Sequence, residues 1–281
     1  MRVVLRVHGA PFWLRQAQAG LATPELSCQE KFRGLLNAAL ATPYYSDRAR
    51  TEILLNATEL PDLRLTPLRD LFERRDAFTS PKASPRRAAF QPPFPSREIV
   101  VCGTKLALPR AARQIDDLSF AQLHLSQTSM LAATPPYLRR ICAAIEARAL
   151  ALPGLCDAIV VLGSLRDGML LPGERDMLWR CFGVPVFEQW LGLDGELLAW
   201  ECEAHSDLHF NPANLVIEQV DGNLVVTSWF AHTTPVFRLA TGWRAELHTS
   251  TCPCGQFGPI LAGLETLRPV DAGYAMAVGV G

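Results

Sequence analysis

Residues 156–163 read CDAIVVLG, in which Ala158 to Leu162 form an unbroken apolar run between an aspartate and a glycine. A strand with one wet face alternates apolar and polar residues, so a continuous apolar run of strand length predicts a strand covered on both faces, as in a parallel sheet. Around it the chain alternates. A short apolar run, Ile99–Cys102, precedes a second at Leu118–Leu131; an amphipathic stretch follows from Pro136 to Leu150, and a helical pattern from Pro172 to Phe182. Strand and helix in alternation predict an α/β fold with a doubly wound, mostly parallel sheet.

The flanks have a different texture. Beyond Trp200 come LVIEQV (215–220), the dipeptide Asp221-Gly222 and NLVVTSWF (223–230), and Asp-Gly between two β-rich runs is a strong hairpin signal. With PVFRL and WRAELH this part predicts a small antiparallel sheet or barrel. Towards the N-terminus, Phe32, Leu35, Leu36, Ala39 and Leu40 recur at helical spacing until TPYY (42–45) breaks the pattern. From Phe78 to Pro95, Pro81, Pro85, Pro92, Pro93 and Pro95 interrupt serines and basic residues, which predicts a loop or linker. The organisation expected is an N-terminal helical segment with a proline-rich loop (1–96), an α/β sheet subdomain (97–199) and a β subdomain (200–281).

Lys and Arg number 27 against 28 Asp and Glu, so no global field draws in nucleic acid or an anionic membrane. No uncharged apolar run is long enough to span a bilayer, and MRVVLRVHGAPFWLRQAQAG lacks the apolar core of a secretory signal. The expectation is a cytoplasmic protein with no membrane partner. In that compartment eight cysteines do not imply a disulfide framework, and Cys28, Cys142, Cys156 and Cys181 are expected to be small apolar fillers.

The other cysteines differ. WECEAHSDLHF (200–210) carries Cys202, His205 and His209, and TCPCG (251–255) carries Cys252 and Cys254. Three thiolates and one imidazole make a closed tetrahedral set, the donor type and number that structural zinc takes. Cys202, His209, Cys252 and Cys254 are the expected ligands, with His205 the competitor for the histidine position, because spacing alone does not choose between the two. Other polar residues read as structural. Asp116-Asp117 point apart as neighbours, Ser164 lacks the second glycine of a nucleophile elbow, and His232 and His248 lie in strand-like stretches.

Residues 182–220, FGVPVFEQWLGLDGELLAWECEAHSDLHFNPANLVIEQV, with GNLVVTSWFAHTTPVFRLATGW and TCPCG after them, resemble the phenylacetate-CoA ligase and coenzyme F390 synthetase branch of the adenylate-forming enzymes. Upstream, ALATPYYSDR, LPDLRLTPLRDL, TPPYLRRI and AIVVLGSLRDGMLLPGERDML resemble that family's pieces in the same order. The resemblance implies a partial N-terminal domain of the superfamily, its parallel sheet followed by a zinc-stapled antiparallel β-barrel. It also implies a chemistry: ATP and a carboxylate give an acyl-AMP, which passes to coenzyme A.

Against that pattern several parts are missing. CGTKLALP (102–109) lacks the run of small residues that surrounds phosphates. Where the family ends a segment in Thr-Gly-Asp, this chain has Arg238 and then Thr241-Gly242-Trp243, an indole in place of the carboxylate that would hold the ribose. The magnesium-linked glutamate is replaced by Asp194 or a shifted Glu196. LRPVDAGYAMAVGVG stands where the lysine-bearing lid domain is expected to begin, and that domain is expected to be absent.

The resemblance and its losses together imply a zinc-stabilised binding or partner protein that has lost ATP-dependent carboxylate activation, its ligand another protein or a small carboxylate. ATP, Mg2+ and coenzyme A are then not expected as cofactors; where nucleotide binding persists, Asp194, Glu196 and Arg238 would carry it. One alternative is a reduced acyl- or aryl-CoA ligase working with a partner chain. Another is a nucleic-acid-binding zinc module, using the basic and aromatic residues of PKASPRRAAF and YLRRI.

Overall fold

The computed structural model describes residues 27–81, 90–110, 112–115, 127–205, 207–231 and 233–266. Its spine is a nine-stranded mixed sheet. In chain order the strands are β1 (Thr66–Pro67), β2 (Ile99–Cys102), β3 (Ala112–Ile115), β4 (Met130–Ala133), β5 (Ala158–Ser164), β6 (Val186–Leu191), β7 (Leu197–Glu201), β8 (Leu208–Phe210), β9 (Leu215–Val220), β10 (Asn223–Ser228), β11 (Leu239–Ala240), β12 (Trp243–Thr251) and β13 (Phe257–Thr266). The large sheet runs β12-β13-β8-β7-β6-β5-β4-β2-β3. From β6 to β3 all pairings are parallel, and from β6 to β12 all are antiparallel.

The parallel half is buried on both faces, as the run Ala158–Leu162 requires. Val100, Leu131, Ile159 and Val161 face a core built with α5 (Pro135–Glu146) and α6 (Glu174–Phe182), through Leu138, Ile141, Cys142 and Leu178. The alternate residues Ile99, Val101, Met130, Val160 and Leu162 face Phe90, Leu106 and Phe187. Fully burying each such aliphatic side chain contributes about 1.5–3 kcal/mol before entropy is subtracted.

Among the described residues the second face is therefore covered by extended chain, not by the helices of a doubly wound sheet. Part of the proline-rich stretch, read as a loop or linker, supplies that cover as irregular extended chain. Phe90 is buried, the Phe94 ring meets Phe187 edge-on at 5.8 Å, and Gln189 Nε2 donates to the Gln91 carbonyl at 2.7 Å. Residues 82–89 of that stretch, including most of the basic segment PKASPRRAAF, lie outside the described residues, as do Asp116, Asp117, His232, the first 26 residues and 267–281.

The antiparallel half packs on a separate four-stranded sheet, β1-β11-β10-β9, around Trp190, Leu208, Phe210, Leu224, Val226, Trp243 and Leu261. The Asp221-Gly222 hairpin joins β9 to β10 with both residues at positive φ (51° and 74°), the conformation that matches strand twist. No strand pairing links the two sheets among the described residues, so the expected barrel is instead two packed sheets. β6 pairs with β7, and the large sheet runs without a break through residue 200.

The N-terminal segment is a set of short helices. α1 (Cys28–Leu40) starts in a capping box in which Glu30 N donates to Ser27 Oγ and Ser27 N to Glu30 Oε2; TPYY ends it, and α2 (Arg48–Asn56), α3 (Leu68–Glu73) and α4 (Arg75–Phe78) follow. Leu35, Tyr45, Leu54, Leu71 and Phe78 dock them against Trp229, Val236 and Phe237. No helix of the described residues is long and apolar enough to cross a membrane.

Two of the cysteines expected as apolar fillers are exposed, Cys28 and Cys156, whereas Cys142 is buried and Cys181 half-buried between α5 and α6.

Candidate metal centre and nucleotide-site residues

Strand pairing brings residues fifty positions apart to one end of the antiparallel half. Cys202 follows the last residue of β7, and His209 sits mid-β8, opposite Trp200 on one side and Ile260 of β13 on the other. Cys252 and Cys254 lie in the tight turn from β12 to β13. That turn is closed by Gly255 N to Cys252 O (2.8 Å) and Cys252 N to Gln256 O (2.8 Å), with Gly255 at φ 86°, a left-handed position that glycine takes without a Cβ clash. The four donor atoms of Cys202, His209, Cys252 and Cys254 lie within 4.8 Å of one another.

The individual edges fit a metal. Cys202 Sγ and Cys252 Sγ are 3.5 Å apart, and Cys254 Sγ is 3.6 Å from His209 Nε2. Tetrahedral bonds of about 2.3 Å to sulfur and about 2.0 Å to nitrogen place two sulfurs about 3.8 Å apart and a sulfur and nitrogen about 3.5 Å apart. A disulfide would need about 2.05 Å. Cys202, Cys252 and His209 are buried, and Cys254 is half-buried. Burial pushes the Cys202 thiol up to about 12, raises Cys254 and lowers His209, so all favour their neutral forms without a cation. A divalent ion would displace the thiol protons on entering.

His205 takes no place in this cluster. It sits at φ 49°, its ring 4.4 Å from that of Phe187 and its Nδ1 3.2 Å from Glu201 Oε1. The geometry separates two histidines that spacing leaves equivalent.

The candidate nucleotide residues are occupied internally. Asp194 Oδ2 accepts from the amides of Thr233 (2.8 Å) and Thr234 (3.2 Å), pinning the β6–β7 turn to the loop after β10. Glu196 Oε2 accepts from Asp194 N at 3.0 Å. A Cβ at Gly192 would stand 2.2 Å from Glu196 Oε1, so the carboxyl rests on a backbone that only glycine leaves bare. Burial raises Glu196 to about 7. The cavity beside it, lined by Leu165, Trp190, Val226, Ser228 and Leu239 among others, measures about 20 Å3. That is room for about one water molecule, and no room for a nucleotide.

Arg238 is paired with an acid on β9. Its Nε and Nη2 form a fork on Glu218 at 3.0 Å each, and Nη1 donates to the Leu63 carbonyl at 2.7 Å. Asp194 and Glu196 lie together on the β6–β7 turn, while the Arg238 side chain points away to β9 and the N-terminal segment. Trp243, at the ribose-acid position of the resemblance, is buried and stacked on Trp190. Ser164 Oγ, as expected, is a turn group, donating to Asp167 Oδ2 at 2.9 Å and accepting from Asp167 N. His248 is exposed on β12.

Sequence reasoning missed a part-buried ionic network beside the metal cluster. Arg175 of α6 donates to Glu188 Oε2 (2.8 Å), to Glu201 Oε2 (2.9 Å) and to the Val186 carbonyl (2.6 Å). The charged residues inside the otherwise apolar strands β6 and β7 were its one visible signal.

No family model and no curated protein matches the sequence. Solved structures do share the fold. The chain is similar to 2-hydroxyisobutyryl-CoA ligase in its open conformation with 2-HIB-AMP and CoA, at 13% identity and a TM-score of 0.58, over 83% of this chain and 68% of that one. The same enzyme in the postadenylation state with R3-HIB-AMP gives 13% identity and 0.59, over 83% and 66%. The chain thus spans about two thirds of the length of these structures. At this identity the likeness is one of fold alone, an α/β architecture shared with 2-hydroxyisobutyryl-CoA ligase.

Proposed function

We propose that this protein uses the scaffold of an adenylate-forming ligase without ATP-dependent carboxylate activation, and acts by binding a protein or a small carboxylate, stabilised by zinc. The observation that carries the reading is the internal use of each candidate nucleotide group. Asp194 serves two backbone amides, Arg238 serves Glu218 and Leu63, and Trp243 is stacked into the core on Trp190. A nucleotide held by these groups would have to break their internal contacts, and the cavity beside Glu196 offers only about 20 Å3. Isothermal titration with ATP·Mg and with AMP tests the idea: no heat of binding is expected, and micromolar affinity for either overturns it.

Zinc is the metal the donor set favours, because three thiolates and an imidazole in a closed tetrahedron suit a borderline-soft ion with no redox chemistry. With four protein ligands there is no open position for substrate, so the role is a staple across three strands. Elemental analysis of purified protein should return one zinc per chain.

The ligase fold of the 2-hydroxyisobutyryl-CoA ligase structures favours a second reading, a reduced acyl- or aryl-CoA ligase that works with a partner chain. Pyrophosphate exchange over a panel of short hydroxy acids and aromatic acids, with candidate partners added, discriminates. Exchange above background would establish the second reading and remove the first.

A further inference from the structure

Cys202 is held at one end of a turn whose two flanks are tied to each other. Glu201 precedes it in β7, and His205 N closes the turn by donating to the Cys202 carbonyl at 3.0 Å. Across that turn His205 Nδ1 lies 3.2 Å from Glu201 Oε1, within hydrogen-bond distance. The other oxygen of Glu201 is fixed from below, accepting from Glu188 N at 2.9 Å and Arg175 Nη2 at 2.9 Å. Glu201 is almost fully buried, its side chain 4% exposed, so its position is set by β6 and α6 and not by solvent.

His205 takes a conformation that needs outside support. At φ 49° a non-glycine residue sits in the left-handed region, at a cost its surroundings must offset. The support is the Glu201 contact together with the ring of Phe187 in β6, 4.4 Å away.

We propose that Glu201 and His205 are positioning residues for the metal centre. They form a clamp outside the ligand set that holds the Cys202 turn in its metal-ready shape and connects it, through Arg175, to α6. The inference rests on the reading of Cys202, His209, Cys252 and Cys254 as a metal site, and it gives separate roles to the two histidines of ECEAHSDLH. Outer partners of metal ligands change affinity about 10–100-fold when removed, because they set the ligand's orientation before the ion arrives.

The test uses the full chain and three proteins: wild type, His205→Gly and His205→Asn. Glycine accepts the left-handed backbone and removes the clamp; asparagine also tolerates that backbone and carries an amide near the place of Nδ1. Zinc affinity is measured by competition with a chromophoric chelator, and the ligand set is checked by the absorption of Co2+ in the same site. The expected result is about tenfold weaker zinc binding for His205→Gly, recovery for His205→Asn, and the same tetrahedral sulfur-rich Co2+ spectrum in all three. Equal affinity in wild type and His205→Gly overturns the clamp while leaving the metal site standing. A Co2+ spectrum altered by His205→Gly makes His205 a ligand and also overturns it. Failure of the wild type to bind either ion removes the metal reading itself, and the clamp with it.

Discussion

The indoles of Trp190 and Trp243 stack with centroids 5.1 Å apart and planes 28° from parallel, and both are buried. The pair joins β6, the last parallel strand, to β12, the edge strand of the antiparallel half, through the core shared with the second sheet. Removing one large aromatic from such a core costs about 3–5 kcal/mol. Trp243→Ala is expected to lower urea-unfolding stability by that amount. Trp243→Asp, which restores an acid at the ribose position of the resemblance, should be at least as destabilising and should gain no AMP binding by titration. Its carboxylate would be buried among apolar side chains.

Arg238 and Glu218 form a two-point ion pair that ties β9 to the chain around Leu63. The guanidinium is 13% and the carboxylate 23% exposed, so the pair is better shielded than a surface bridge. Glu218→Ala leaves the arginine with carbonyl partners only, and the expected loss is about 1–3 kcal/mol in chemical denaturation. Arg238→Lys should not restore stability, because an ammonium cannot reproduce the fork. Wild-type stability in Arg238→Lys would show that the carbonyl contacts, not the fork, fix this segment.

Glu196 makes stability depend on pH in a definite direction. Burial raises its pKa from 4.5 to about 7. An acid raised on folding favours the folded state below its unfolded pKa and loses that contribution as pH rises through the folded value. Glu196→Gln should therefore match the wild type near pH 4.5 and exceed it above pH 7, by up to about 3 kcal/mol from the size of the shift. The difference between the two denaturation profiles across this range isolates Glu196 from other titrating groups. A constant difference would mean that its carboxyl reaches solvent.

Local patterns carried much of the fold. The apolar run at 158–162, the helices after β4 and β5 and the Asp-Gly hairpin were all legible, because each is set by residues adjacent in sequence. Cys202, His209, Cys252 and Cys254 were legible as a set from their chemistry. The choice of His209 over His205 was not, since it depends on β8 pairing with β7 and β13 at once. The role of Phe90 and Phe94 was hidden for a different reason. Prolines forbid regular structure but say nothing of whether an extended segment packs, and here it covers one face of the sheet. The fork of Glu218 on Arg238 joins β9 to the residues just before β11, a pairing that no sequence period announces.

The metal centre yields the most direct test. Cys254 is the most exposed of the three thiols; it stands at the tip of the β12–β13 turn, 3.6 Å from His209 Nε2, and on the proposed zinc reading it supplies the fourth ligand. Replacing it with alanine removes one donor and leaves the buried partners Cys202, Cys252 and His209 in place, so misfolding from lost packing should be small beside the loss of metal. A ligand present at about 1,000 times its Kd stabilises the folded state by about 4 kcal/mol, which for a chain of this size corresponds to about 10 °C in Tm. Cys254→Ala, and wild type treated with a strong chelator, are each expected to lose zinc by elemental analysis and to fall by about that interval in a thermal scan. The two effects should not add, since both remove the same stabilisation. Cys28→Ala, which alters an exposed cysteine outside the cluster, should keep both zinc and Tm. Full zinc occupancy in Cys254→Ala would mean that the turn carries no ligand. A chelator effect of equal size on wild type and variant would place the metal elsewhere in the chain.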